Sequence, residues 1–306
     1  MWALCVKGFI TFCLLAVVFY FVDFADLVSI LRQSDFKYII LAFCVQFVLS
    51  VPQALRWRLI LNHAGVSVRR LPAWYNVLLG LLFNQALPSS VGGDAVRIYE
   101  ARKLGVNIVF QSVLFDRISA LVSLSSMCLF ILLFFALPLA KSSSFFLMLA
   151  VVCLTLVGAI ILAYLGAAAR YFCLADRPVV MKIINVSDNF RKLSSSGSTC
   201  LAVISLSLLI HTFISVSGVL IFVGLGVNFS FVEIGAIFAL VNLFSVIPVS
   251  IGGWGLREGL SIFLFSIVNI NYEQALAASL IFGAVMLMVG LVGGAIWMIF
   301  GRKGEW

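Results

Sequence analysis

Two arginines in this chain each stand four residues beyond a glycine pair, in matching surroundings. One stretch reads Pro88-Ser89-Ser90-Val91-Gly92-Gly93-Asp94-Ala95-Val96-Arg97, the other Pro248-Val249-Ser250-Ile251-Gly252-Gly253-Trp254-Gly255-Leu256-Arg257. Proline, serine, both glycines and arginine recur at a constant offset of 160 residues. A proline followed by serine and two glycines stops a helix and lets backbones approach closely. A helix restarting after Gly-Gly presents free N–H groups and the positive end of its dipole to an anion. A guanidinium one turn further on adds a forked donor suited to phosphate. The chemistry predicted is therefore anion recognition by Asn84, Pro88, Ser90, Gly92, Gly93 and Arg97 in one copy, and by Pro248, Ser250, Gly252, Gly253 and Arg257 in the other. The competing reading is a packing kink with a snorkelling arginine.

Carboxylates accompany these arginines. Asp94, Arg97 and Glu100 are spaced by three and share one helix face. Asp116 and Arg117 stand in a long apolar segment; being adjacent they point to different faces, so each needs a separate partner. Glu258 follows Arg257 and either pairs with it or serves as a proton-linked carboxylate. His63 and His211 are isolated, and the seven cysteines show no CxxC spacing, so no metal or other cofactor is expected. No phosphate loop, GxSxG or HExxH sequence is present, which points away from an enzyme.

The elements that must hold these groups are membrane helices. Of 306 residues, 63% are hydrophobic and 10% charged, and mean hydropathy is +1.19, too apolar to cover a soluble surface. The net charge of +8 resides in short loops, where membrane orientation explains it and nucleic-acid binding does not. Full spans are expected near residues 4–22, 36–55 (kinked at Pro52), 111–137, 145–168, 200–223 and 274–300. The runs before the two motifs are short and interrupted, the first by Asn76, Gly80, Asn84 and Gln85. They read as re-entrant hairpins. Arg56, Arg58, His63, Arg69 and Arg70 form a basic patch placed in the cytoplasm. The expected fold is an all-α polytopic membrane protein, with about six full transmembrane helices plus two broken hairpins. Residues 1–168 and 200–306 form inverted helix–hairpin–helix halves, and 169–199 a cytoplasmic linker. Such repeats place a site near the midplane. The N- and C-termini are both placed in the cytoplasm.

Arg56-Trp57, Asn84 with Leu87-Pro88, Gly92-Gly93-Asp94 and Arg97, Asp116-Arg117, and Pro248, Ser250, Gly252-Gly253, Gly255 and Arg257-Glu258 together resemble the flippase-like transmembrane domain family, also known as the lysylphosphatidylglycerol synthase transmembrane region. The resemblance implies a protein of the cytoplasmic membrane that moves a polar lipid between leaflets. Two-part members carry a soluble aminoacyltransferase domain after the membrane region. This chain stops at Trp306, so lipid aminoacylation by it alone is not expected. The expected partner is a lipid with an anionic head group (a phospholipid, glycolipid or polyprenyl phosphate), held by Arg97, Arg117 and Arg257, while Asp94, Asp116 and Glu258 balance charge or couple to protons. The alternatives are a membrane-embedded transferase and a scaffold in lipid or glycan biosynthesis. A partner enzyme and self-association fit either.

Overall fold

The computed structural model describes residues 2–20, 22–86, 92–134, 145–171, 178–228, 230–246 and 250–300. Every regular element among them is helical. The first half contains α1 (Trp2–Tyr20), α2 (Phe24–Gln33), α3 (Phe36–Val48), α4 (Ser50–His63), α5 (Arg70–Ala86), α6 (Gly92–Glu100) and α7 (Val106–Phe134). The chain continues through α8 (Phe145–Tyr171) and α9 (Pro178–Ser195) into α10 (Gly197–Gly224), α11 (Phe231–Ser245), α12 (Leu256–Ser266) and α13 (Tyr272–Phe300).

Four helical stretches are long and apolar enough to span a bilayer: residues 36–63, α7, α10 and α13. The remaining two expected spans differ. The first apolar run meets α2 at an 89° bend. There Asp23 caps α2, its carboxylate accepting from the Ala25 amide at 2.8 Å. In α8 the described apolar core is Met148–Gly158 within a 27-residue helix. Pro52 does not end the second span. It lies in the first turn of α4, where a missing N–H is tolerated. The discontinuity falls at Leu49, and the helix runs on to His63. The polar stretch 169–199 folds largely as α9, an 18-residue helix packed on α8, with a single-residue break at Ser196 before α10.

The element order repeats: α3–α4, the α5/α6 pair and α7, then α10, the α11/α12 pair and α13. The halves are inverted, because equivalent elements pack antiparallel. The Asp35 amide donates to the Gly224 carbonyl at 2.7 Å, where α3 starts and α10 ends. At the opposite end of the same pair, Arg56 Nη1 donates to Ser207 Oγ at 3.0 Å, and Ile60 clusters with Val203. Contacts obey the same exchange: α5 packs on α13 and α11 on α7, while α6 packs on α7 and α12 on α13.

The paired arms are too short to cross. At 1.5 Å per residue, α11's 15 residues reach about 22 Å, against a hydrocarbon core of roughly 30 Å. Instead α11 is buried on nearly every side, as expected of a helix apolar all round. Its Phe238 ring meets Phe282 of α13 edge-on at 4.8 Å. Gly290 and Gly293 bring α13 against α5 so closely that a Cβ at either would lie 3.0–3.1 Å from Leu82 or Leu78 atoms. These contacts fix α5 and α11 against α13.

Candidate functional site

Asn76, Gly80 and Asn84 recur every fourth residue of α5 and so share a face. That face receives α6. A Cβ on Gly80 would sit 2.5 Å from Arg97 Cδ, and Gly93 rests on the Gly80 carbonyl and the Asn84 side chain. Asn76 clasps Arg97 at both ends: its Nδ2 donates to the Arg97 carbonyl at 3.0 Å, and its Oδ1 accepts from Arg97 Nε at 3.3 Å. Gly93→Ala therefore drives a methyl into backbone, and is expected to destabilise by roughly 1–3 kcal/mol or more. Thermal unfolding of purified protein, with Gly197→Ala as an open-space control, checks this.

Around Arg97 lies a network of charges crossing three helices, α4, α6 and α7. Asp116 of α7 sits between two buried arginines, its Oδ1 2.7 Å from Arg56 Nε and its Oδ2 3.4 Å from Arg97 Nη1. Asp94 is gripped by two guanidinium nitrogens of Arg117, at 2.8 and 2.9 Å, and lies 3.7 Å from Arg97. The Arg97 guanidinium stacks 4.7 Å from the Trp57 ring, whose Nε1 donates to Ser112 Oγ at 3.0 Å. As adjacency required, Asp116 and Arg117 serve different partners.

The second hairpin answers with a self-contained pair. Arg257 contacts Glu258 Oε1 through Nη2 at 2.6 Å and Nε at 3.1 Å. Ser279 Oγ of α13 donates to the same oxygen at 3.1 Å, and Glu258 Oε2 accepts the Gly255 amide at 2.6 Å. Arg257 stacks on Trp254 at 4.8 Å. The missing side chain of Gly283 leaves room for both Arg257 and Trp254. Gly252, Gly253 and Gly255 all have positive φ (58°, 79° and 84°), so the tip requires glycine at these positions.

The two networks face each other across one cavity of about 430 Å³. The first half contributes Asn84, Gln85, Asp94 and Arg117; the second contributes Asn242, Ser245, Gly252, Gly253 and Arg257, with Phe282 and Met286 as an apolar wall. Among the described residues, Asn84 Oδ1 and Gln85 Oε1 are buried without a hydrogen-bond partner. The cavity brings together one guanidinium from each half and three side-chain amides, groups that can hydrogen-bond a polar, anionic group.

Comparison with known proteins agrees with this architecture. Residues 4–294 match the family described as Lysylphosphatidylglycerol synthase TM region. The chain belongs to this family. It is a multi-pass membrane protein. It is 23% identical over 314 residues to UPF0104 membrane protein MJ1595 of Methanocaldococcus jannaschii, covering 96% of this chain and 94% of the relative. It is likewise 23% identical over 300 residues to a UPF0104 membrane protein of Methanothermobacter thermautotrophicus, covering 89% and 88%.

For this family member, the structure rearranges the expected site. Six of the expected residues line the cavity: Asn84, Asp94, Arg117, Gly252, Gly253 and Arg257. Arg97 does not; it turns away from the wall toward Asp116 and Asn76. Asp116 and Glu258 lie behind the wall and hold the arginines. Gly92 and Gly93 form the first turn of α6 rather than preceding it. Ser250 is buried, its hydroxyl without a hydrogen-bond partner among the described residues, and it is not part of the wall. At the N-cap of α12 the Gly255 amide is taken by Glu258 Oε2, and Gly255 packs against Leu14 and Leu15 of α1. Pro88, Ser90 and Pro248 lie outside the described residues. Arg56 is no solvated patch residue: it is 6% exposed and deep in the first network. Its burial has a sequence signal, an apolar helix that continues through it. Asn76 was marked by the four-residue spacing. Gln85 and Asn242 ended the apolar runs, but Ser279 carried no distinguishing mark among the small residues of α13.

Proposed function

We propose that this protein translocates a polar lipid with an anionic head group between the leaflets of a cytoplasmic membrane. The observation that carries this reading is the convergence of two re-entrant hairpins, from inverted halves, on one cavity with a guanidinium from each. In inverted-repeat transporters such a midplane site is reached alternately from either face. The head group occupies the space between Arg117 and Arg257, and the amides of Asn84, Gln85 and Asn242 orient it. Hydrocarbon chains remain outside the polar cavity. An apolar groove of about 420 Å³ between α3 and α13, lined by Ile39, Phe43, Ile281 and Met288 among others, suits such chains. In this orientation the end of the bundle bearing His63 and Lys192 faces the cytoplasm.

The test is dithionite quenching of fluorescent anionic phospholipids and a polyprenyl phosphate in proteoliposomes. Arg117→Gln is the informative variant, because its side chain is 49% exposed and Asp94 keeps Arg97 as a partner 3.7 Å away. Wild type is expected to move lipid, and the variant to move it at least about tenfold more slowly with unchanged folding. Equal rates would remove Arg117 from the site. No movement of any probe by folded protein would favour the transferase or scaffold alternative.

A further inference from the structure

A second pocket lies where the ends of α4 and α9 meet the first half of α7, apart from the hairpin tips. It has a mouth and a recess, and both are lined by His63 and Lys192. The mouth, of about 740 Å³, adds Arg191 and Ser195, with one carboxylate, Asp188, among its described lining. The recess, of about 120 Å³, is walled by Ile60, Ile108, Phe115 and Leu193, with Gln111 as a neutral polar group. Ile60, Phe115 and Leu193 belong to one packed apolar cluster that joins the three helices. Water satisfies exposed cations singly, and basic residues are ordinary at this end of a membrane protein. What distinguishes His63, Arg191 and Lys192 is the concavity they rim. Apolar walls beneath charges of one sign focus their field at the neck.

We propose that this pocket binds a small soluble phosphate ester, with the phosphate at the neck between His63, Arg191 and Lys192 and a ring-sized organic part in the recess. The size of the recess sets the organic part. An apolar cavity of roughly 150 Å³ takes up benzene, so this recess admits a ring or a short chain and has no room for an acyl tail. The charge at the neck sets the other part. Arg191 offers a forked donor and Lys192 a point charge, which suit a phosphomonoester of roughly −1.5 to −2 near neutral pH. The site also touches the first charge network. Ser112 lines the recess and accepts from Trp57 Nε1 at 3.0 Å. The Trp57 ring lies 4.7 Å from the Arg97 guanidinium, and Arg97 lies 3.7 Å from Asp94 of the hairpin cavity. One layer, Trp57 and Arg97, therefore links the two sites.

The experiment is calorimetric titration of the full chain in phosphatidylcholine nanodiscs with phenyl phosphate, inorganic phosphate and phenol. Phenyl phosphate is expected to bind at least roughly tenfold more tightly than either fragment. Arg191→Gln with Lys192→Gln should weaken both phosphates at least about tenfold. Arg69→Gln with Arg70→Gln removes as much exposed charge from the same end of the bundle and should leave both unchanged. Ala64→Leu, made at the exposed C-cap of α4 where it borders the recess, should bring phenyl phosphate down to the level of inorganic phosphate. Nanodiscs containing phosphatidic acid or phosphatidylserine at matched surface charge separate the two sources of phosphate. The surface potential should lower phenyl phosphate affinity equally in both. A greater loss with phosphatidic acid would place a lipid phosphate in the mouth and overturn the soluble source. Absence of binding, no preference for phenyl phosphate over inorganic phosphate, or equal weakening by the two double variants would overturn the site and leave a diffuse basic surface. Arg117 and Arg257 are untouched throughout, so no outcome here bears on the translocation reading.

Discussion

Asp116→Ala is expected to be the most destabilising single substitution in the charge networks, costing roughly 3–5 kcal/mol. The carboxylate is 6% exposed and holds Arg56 at 2.7 Å and Arg97 at 3.4 Å. Removing it leaves two guanidiniums facing each other in a medium that cannot solvate them. The ion pairs contribute little net stability when intact, because desolvation cancels most of their attraction. Breaking them is a different matter, since the desolvation remains and the attraction is gone. Thermal unfolding in detergent should show a drop in Tm on the order of 10 °C. Removing Arg56 as well should recover part of the loss, because Arg97 retains Asp94 at 3.7 Å. Arg102→Ala, at an exposed arginine lying 4.0 Å over the Tyr99 ring, should stay within about 0.5 kcal/mol of wild type. An Asp116→Ala variant as stable as that control would mean the network is solvated and would move the site's electrostatics to the surface.

The largest functional effect is expected from the double variant Arg257→Met with Glu258→Gln. A single Arg257→Ala is a poor probe, because it strands a fully buried carboxylate and mixes folding with function. The double variant removes both charges together. The carbonyl oxygen of the introduced glutamine can still accept the Gly255 amide that Glu258 now holds at 2.6 Å, so the cap of α12 survives. Stability should stay within about 1–2 kcal/mol of wild type, as for other charge pairs replaced whole. Lipid movement should fall by roughly 10- to 100-fold, the loss of one charge-assisted forked donor. Wild-type rates would exclude Arg257 from translocation and leave the first hairpin to act alone.

Much of this was legible in the chain itself, for local reasons. Membrane residence follows from hydrophobic length, which no tertiary contact can reverse. The hairpins follow from apolar runs too short to span and from prolines and glycine pairs that interrupt them. Their recurrence at one offset predicted two matched halves, and in the structure α3–α4 packs antiparallel on α10. That Asp116 and Arg117 must find different partners was already fixed by the roughly 100° turn between neighbours on a helix.

What the chain left open is which partner each charge takes. Arg97 and Arg257 occupy equivalent places in the repeat, yet only Arg257 lines the cavity. Arg97 is drawn aside by Asp116, Asn76 and the Trp57 ring, all on other helices. The second half sets Ser279 of α13 beside Arg257 and supplies its carboxylate from the neighbouring residue. Arg56 and Asp116 are separated by 60 residues. No local pattern links them, because their pairing depends on which faces of α4, α6 and α7 the close α5–α6 and α5–α13 contacts turn inward. Helix propensity, hydrophobic length and breakers act over a few residues and are written in the sequence. Electrostatic pairing in a low-dielectric interior acts between whichever groups packing brings within a few ångströms, and only the tertiary structure decided that.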